Sequence, residues 1–305
     1  MLRHTEPPRG GTAALFVISG PAIGDYAQRA NGHLVGQPDS RASQLHDCKL
    51  ADAVKEKGPT PYVVRDGKRP KEEPRHMDGF LMLLRWLHFL FGITWIGLLY
   101  YFNVVQAPFF AETEPAVRSG AQQKLLPRAL WWFRWGAMGT VIFGVLYLLI
   151  WWDRVGFAFN SWAVAILTGG ALGLIMWANV WFVIWPKQKI VIANAMATTA
   201  GGQANPAAAP AGRRASIASR TNVMFSIPML FFMGAASHYP LFTDVKPGGI
   251  AAWLIIDGII IALLEINALV GSTGAAKKPL DSISGVITSG FVLWAVLTLI
   301  IVAVV

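Results

Sequence analysis

Six apolar runs constrain this chain more than any other feature, because ~20 such residues in a helix span the ~30 Å hydrocarbon layer of a bilayer. They fall at approximately 79–105, 131–152, 157–185, 221–243, 249–271 and 283–305. Inside lipid every backbone N–H and C=O must find its partner within the protein, so these runs are predicted to be helices. The fold class that follows is all-α, a polytopic transmembrane helix bundle of about six spans. Composition agrees, with 54% hydrophobic residues, only 14% charged residues and 13 Trp, where soluble domains carry about a quarter charged. Trp131, Trp132 and Trp135 open the second run and Trp151 and Trp152 close it, the placement of aromatic belts at the two interfaces.

Charge is segregated along the chain. Residues 1–76 hold 12 of the 26 Lys+Arg and 9 of the 17 Asp+Glu. They are rich in Pro and Gly and lack a sustained hydrophobic period, so residues 1–76 are predicted to be a disordered extension. The apolar stretch from Ala13 to Ser19 ends at Gly20-Pro21 and is too short for a good signal peptide. Met77-Asp78-Gly79-Phe80 leads straight into the first run, which makes Met77 a candidate start and residues 77–305 the membrane domain.

The net charge of +9 does not point to nucleic acid, because beyond Met77 the basic residues sit in short connections between runs. Three follow the first run (Arg118, Lys124, Arg128), five follow the third and two follow the fifth, against Arg154 and Lys246 on the other side. The positive-inside rule then places the odd-numbered connections in the cytoplasm, with Met77 and Val305 on the periplasmic side of a bacterial inner membrane. The connection 186–220, with its Ala/Gly/Pro-rich centre and Arg213, Arg214 and Arg220 at its end, reads as a flexible loop with basic anchors.

The only cysteine is Cys48, so residues 77–305 offer no thiolate and no attachment for a c-type haem. The only histidines beyond Met77 are His88 in the first run and His238 at the end of the fourth. The topology puts both toward the outer side, where two imidazoles from different helices could ligate haem b or another metal. Equally, His88 could bond a neighbouring helix and His238 could be interfacial. Arg85, Gly92 and Trp95 share the helical face of His88. There Arg85 could bind a haem propionate or an anionic substrate, or snorkel to the interface.

Asp257 and Glu265 lie eight residues apart in the fifth run, about 80° apart around a helix. They could form a proton path or pair with Arg85 or Arg134. Glu265 is the deeper of the two by position, and exposure near the outer end is the plainer reading of Asp257. Arg134 fits snorkelling at the cytoplasmic interface, the methionines fit apolar filler, and Asn103, Asn179, Asn222 and Asn267 fit hydrogen bonds between helices or to a substrate.

Four segments resemble the membrane-bound urate oxidase (urate hydroxylase) family, whose members join a multi-helix membrane domain to a cytochrome c domain. They are LLRWLHFLFGITWIGLLYYFN at 83–103, LWWFRWGAMGT at 130–140, IWPKQKIVIANA at 184–195 and RRASIASRTNVMFSIPMLFFMGAASHYP at 213–240. The first alone also resembles copper-resistance membrane proteins and the haem-b-binding membrane protoporphyrinogen oxidase. The resemblance implies oxidation of urate, a small anionic purine, to 5-hydroxyisourate, with electrons passed to a cytochrome c. It makes His88, Arg85 and His238 candidates for the redox centre. A fused cytochrome c domain is missing from this sequence, so a separate periplasmic cytochrome c is the expected partner. The alternatives are a non-catalytic haem-b electron-transfer or assembly protein and, with less support, a small-solute permease.

Overall fold

A computed structural model describes residues 75–305, with side chains from Met77 onward. The extension and alternative start expected at 1–76 lie outside the described residues, but for Arg75 and His76 at the start of α1. The helices are α1 (Arg75–Tyr100), α2 (Ala107–Glu112), α3 (Pro115–Lys124), α4 (Leu126–Val155), α5 (Ser161–Ala178), α6 (Trp185–Thr199), α7 (Ala208–His238), α8 (Gly249–Leu269) and α9 (Ile283–Val304). No strand occurs among the described residues, so the all-α expectation holds.

Two π-helical segments, Tyr101–Gln106 and Asn179–Ile184, fuse α1 to α2 and α5 to α6 into two long rods. Each precedes a proline, Pro108 or Pro186, at the start of the next helix. A proline has no N–H for the carbonyl four residues back and its ring crowds that carbonyl. The wider π turn is a way for the rod to continue through it.

Helix α7 is the centre of the bundle and packs against α1, α5, α6, α8 and α9. Every residue from Thr221 to Phe225, and Ser226 after them, is buried, so this stretch has no solvent or lipid face. Between helices already in lipid, close van der Waals packing replaces the hydrophobic effect as the cohesive force, and small residues permit it. Gly290 of α9 is such a site: a Cβ there would lie 2.9 Å from the Met224 carbonyl oxygen. That carbonyl would otherwise bond the N–H four residues on, which Pro228 lacks. On the opposite side, a Cβ at Gly169 of α5 would come within 3.3 Å of the Met229 carbonyl oxygen.

The second cohesive unit is the antiparallel pair α1 and α4. Gly136, Gly139 and Gly144 of α4 form a seam against Trp95, Phe91 and His88 of α1, and a Cβ at Gly136 would lie 3.1 Å from the Trp95 backbone nitrogen. Trp95 is thereby 1% exposed despite its size.

Five helical stretches are long and apolar enough to cross a membrane: Met77–Glu112, Leu126–Val155, Ser161–Thr199, Gly249–Leu269 and Ile283–Val304. The chain is therefore a membrane protein. The remaining expected span, at 221–243, lies mostly on the 31-residue α7. It falls short on apolarity for a physical reason: its neighbours are other helices, so it carries Thr221, Asn222 and Ser226 inward at 0% exposure.

The flexible loop expected at 186–220 is corrected. Residues 185–199 form α6, and α7 begins at Ala208, leaving only a short turn with Gly201 at φ 81°. The alanine content read as loop composition is strong helix former. Gln123 of α3 fixes α6 by donating to the Ala195 carbonyl at 3.2 Å and to Thr199 Oγ1 at 2.7 Å.

Replacing Gly290 by Val should lower the stability of the detergent-solubilised protein by ~1–3 kcal/mol through overpacking. Thermal unfolding read by loss of helical circular dichroism checks this, and an unchanged midpoint would contradict the packing of α9 on α7.

Candidate functional site

A strip of polar side chains, Ser219, Asn222 and Ser226, runs along one face of the middle of α7. On one side Asn179, at the start of the second π segment, donates to Asn222 Oδ1 at 3.0 Å and to Glu265 Oε2 of α8 at 3.1 Å. Asn222 in turn donates to the Met176 carbonyl at 2.9 Å. Three helices are thus joined at 1% and 0% exposure of the two amides. On the other side Asn103, in the first π segment, donates to Ser219 Oγ and to the Leu99 carbonyl, both at 2.8 Å. The Tyr100 hydroxyl lies 3.0 Å from Ser226 Oγ, which spends its own hydrogen on the Val223 carbonyl at 2.7 Å. Tyr100 is therefore the donor in that pair.

Both π segments place an asparagine against α7. Extra turns of this kind are frequent at functional sites, because they rotate side chains out of regular helical register. The sequence named Asn103, Asn179 and Asn222 as joining residues but gave no sign of the π geometry beyond the prolines at 108 and 186.

Glu265 is half-buried and held by Asn179. Asp257, against the expectation of exposure near the outer end, is 3% exposed, on the same helix face as buried Trp253 and Ile261. Neither of its carboxylate oxygens has a hydrogen-bond partner among the described residues. The Trp253 indole lies beside it without meeting hydrogen-bond geometry. The two acids are eight residues apart, about 12 Å along α8, too far for direct proton transfer between them. Arg85 and Arg134 bond elsewhere: Arg134 donates to the Leu130 carbonyl at 3.2 Å and stacks 3.5 Å from the Trp185 ring centre.

Near the other end of α1, Arg85 bonds the Tyr147 hydroxyl and sits 4.8 Å from that ring's centre. Tyr147 stacks on Trp151, with the ring planes 8° apart. These residues, with Asp78, Leu81 and Met82, line an open cleft of about 160 Å³. One turn further in, His88 Nδ1 lies 2.8 Å from the Thr140 carbonyl oxygen of α4. The ring enters because Gly144 has no side chain: a Cβ there would stand 2.8 Å from Nδ1. Gly92, on the helical face of His88, faces the Thr140 side chain at 3.8 Å.

The Thr140 carbonyl can only accept, so Nδ1 carries the proton and Nε2 keeps its lone pair. This is the arrangement in which a histidine ligates a metal, with its second nitrogen tied to a carbonyl. His88 therefore fits a haem or metal ligand. His238 ends α7, exposed, at the same end of the bundle as the start of α1. No hydrogen bond or ring contact among the described residues joins it to His88, and no group of three or more His, Cys, Asp or Glu gathers there.

Residues 154–302 match the family described as urate oxidase N-terminal. No curated protein and no solved structure matches the chain. The matched stretch contains Asn179, Asn222, His238, Asp257 and Glu265, and two of the four resembling segments, 184–195 and 213–240. His88, Arg85 and the segments at 83–103 and 130–140 precede it.

Asn179→Leu should cost ~1 kcal/mol, since it leaves Asn222 Oδ1 and Glu265 Oε2 without their donor in a setting where interhelical hydrogen bonds average ~0.6 kcal/mol. A double-mutant cycle with Asn222→Leu, read by unfolding in detergent, should show coupling of the same order. Strict additivity would mean that the two amides are not bonded.

Proposed function

We propose that this chain is a urate-oxidising membrane protein that hands its electrons to a separate cytochrome c. The observation that carries the reading is the match of residues 154–302 to the urate oxidase N-terminal family. It is supported by the resemblance of the preceding segments and by a cleft suited to a flat anion. The reaction is urate + H2O → 5-hydroxyisourate + 2 H⁺ + 2 e⁻: a C–O bond forms at C5 with oxygen from water, and two one-electron acceptors are reduced per urate.

Arg85 is the binding group. Its guanidinium offers forked donors to an anionic oxygen or deprotonated nitrogen, and Tyr147 restrains it from one side. The stacked Tyr147 and Trp151 rings give a flat π surface in the same cleft. His88 lies three residues from Arg85, with Nε2 free to hold a haem b. When bound, that group would accept electrons singly and pass them on. Asp257 and Glu265 are the buried or half-buried carboxylates placed to take up protons. The Asn179 amide steadies Glu265 while leaving its second oxygen to accept one.

The orientation that suits this chemistry puts the Arg85 end outward, in the periplasm of a bacterial inner membrane, where a soluble cytochrome c would dock. The excess of Lys and Arg at the opposite end supports it. Arg118, Lys124, Arg213, Arg214, Lys277 and Lys278 all lie in or beside the connections there.

Membranes carrying the full chain should reduce added ferricytochrome c when given urate, two per urate consumed, with oxygen excluded. No urate-dependent reduction with the cognate cytochrome present would sink the activity. Arg85→Gln should raise the KM for urate by about tenfold or more, the scale of one charge-assisted hydrogen bond. His88→Ala should remove a haem spectrum while leaving membrane insertion intact, since one polar side chain adds little to that span's hydrophobicity. Gly144→Ala should weaken the same spectrum by displacing the ring. A spectrum unchanged in His88→Ala would make His88 structural.

A further inference from the structure

Lys277 lies in the 3₁₀ turn Ala275–Asp281 between α8 and α9, where its backbone N–H is fixed on the Gly274 carbonyl at 3.0 Å. Its side chain is 3% exposed, and Nζ has no hydrogen-bond partner among the described residues. An ammonium in that position ordinarily has a carboxylate beside it, because desolvating an unpaired charge costs several kcal/mol. Here its charged neighbours are Arg214 and Arg213 instead. Burial, and behind it those two guanidinium groups, push its pKa below the ordinary lysine range.

The surrounding arginines are held in place by backbone. Arg213 donates to the Ser272 carbonyl at 3.2 Å and pairs with Asp281 at 2.6 Å. Arg214 donates through one Nη to the Ala268 carbonyl at the end of α8 at 2.9 Å, and Arg220 to the Leu280 carbonyl at 2.7 Å. Four cations and the single carboxylate of Asp281 thus converge where the α8 and α9 spans end. Beyond its one bond, Arg214 keeps donors for an anion.

The same 3₁₀ turn also closes an apolar groove of about 300 Å³ that runs between α8 and α9. Pro279 and Ala276 stand at its mouth, and Ile260, Leu264, Val292 and Val296 form its walls. From Asn267 to Ile260 it extends about 10 Å along the helix. Val292 is 57% exposed on the outer surface of the bundle, where lipid tails would lie.

We propose that this end of the bundle binds an anionic glycerophospholipid, its phosphate held by Lys277, Arg214 and Arg213 and one acyl chain lying in the groove between α8 and α9. The charge supplies the missing counterion. The groove explains why a lipid, rather than a dissolved anion, is the occupant: headgroup and chain leave a common point, and the 3₁₀ turn brings the two subsites together. The inference is independent of the substrate.

The test uses the detergent-purified full chain, delipidated and titrated with short-chain phosphatidylglycerol, phosphatidylcholine or inorganic phosphate, with binding read by native mass spectrometry and thermal midpoint. Phosphatidylglycerol should bind at one per chain and raise the midpoint, and phosphatidylcholine, whose phosphate charge is offset by a trimethylammonium that the three cations repel, should do so at least about tenfold more weakly. Lys277→Gln should abolish that preference. Val292→Trp, which crowds the groove and leaves the cations untouched, should weaken the lipid response in a chain whose insertion is unaltered. Equal responses to the two lipids, or a phosphatidylglycerol preference that persists in Lys277→Gln, would overturn the proposal. So would a response to inorganic phosphate as large as that to the lipid, which would make a free oxyanion the occupant.

Discussion

The structure depends on the middle of α7, from Thr221 to Ser226, being enclosed by protein. A helix in that position cannot use lipid as its partner, so its contacts must be made by other helices, and the sequence supplies them in two forms. Glycines of α5 and α9 let backbone approach backbone at Gly169 and Gly290. Amides from the two π segments and the Tyr100 hydroxyl at the end of α1 meet α7 at Asn222, Ser219 and Ser226. Without the first, the helices would stand too far apart for the second to bond. Without the second, Asn222 at 0% exposure would be an uncompensated polar group in hydrocarbon.

That enclosure also separates the functional regions. Arg85 and His88 belong to the α1 and α4 pair, and lie toward the end where α1 begins. Glu265 and its asparagines lie toward the basic end. Protons released at the Arg85 cleft would therefore reach Glu265 only by way of solvent or intermediate groups. The family match begins at residue 154, after the α1 and α4 pair that carries Arg85 and His88, so the proposed activity would draw on both parts of the bundle.

Much of this was legible in the sequence. Length and apolarity fixed the helical class, since a backbone in lipid has few other solutions. His88, Arg85 and the inward asparagines stood out because polar groups in apolar runs carry a cost. What could not be read was pairing. His88 shows that a histidine's role is set by what faces it, here Gly144 and the Thr140 carbonyl on a helix that begins nearly forty residues later. The helicity of 185–199 was hidden because alanine suits both a helix and a loop of low complexity, and only contacts such as Gln123 with Thr199 decide between them. Asp257 was misplaced because position along a helix gives depth, while burial depends on the face turned to α7 and α9. Lys277 looked like one more topogenic charge until the turn around it was folded.

The most direct test of the urate-oxidising account is the optical spectrum of the purified chain, taken anaerobically before and after addition of urate and without any cytochrome c. The expected result is reduction of a bound haem b by urate alone, reversed on adding ferricytochrome c. A haem that is present and reducible by dithionite but indifferent to urate would contradict substrate oxidation and leave an electron carrier. The absence of any chromophore would contradict the redox centre itself.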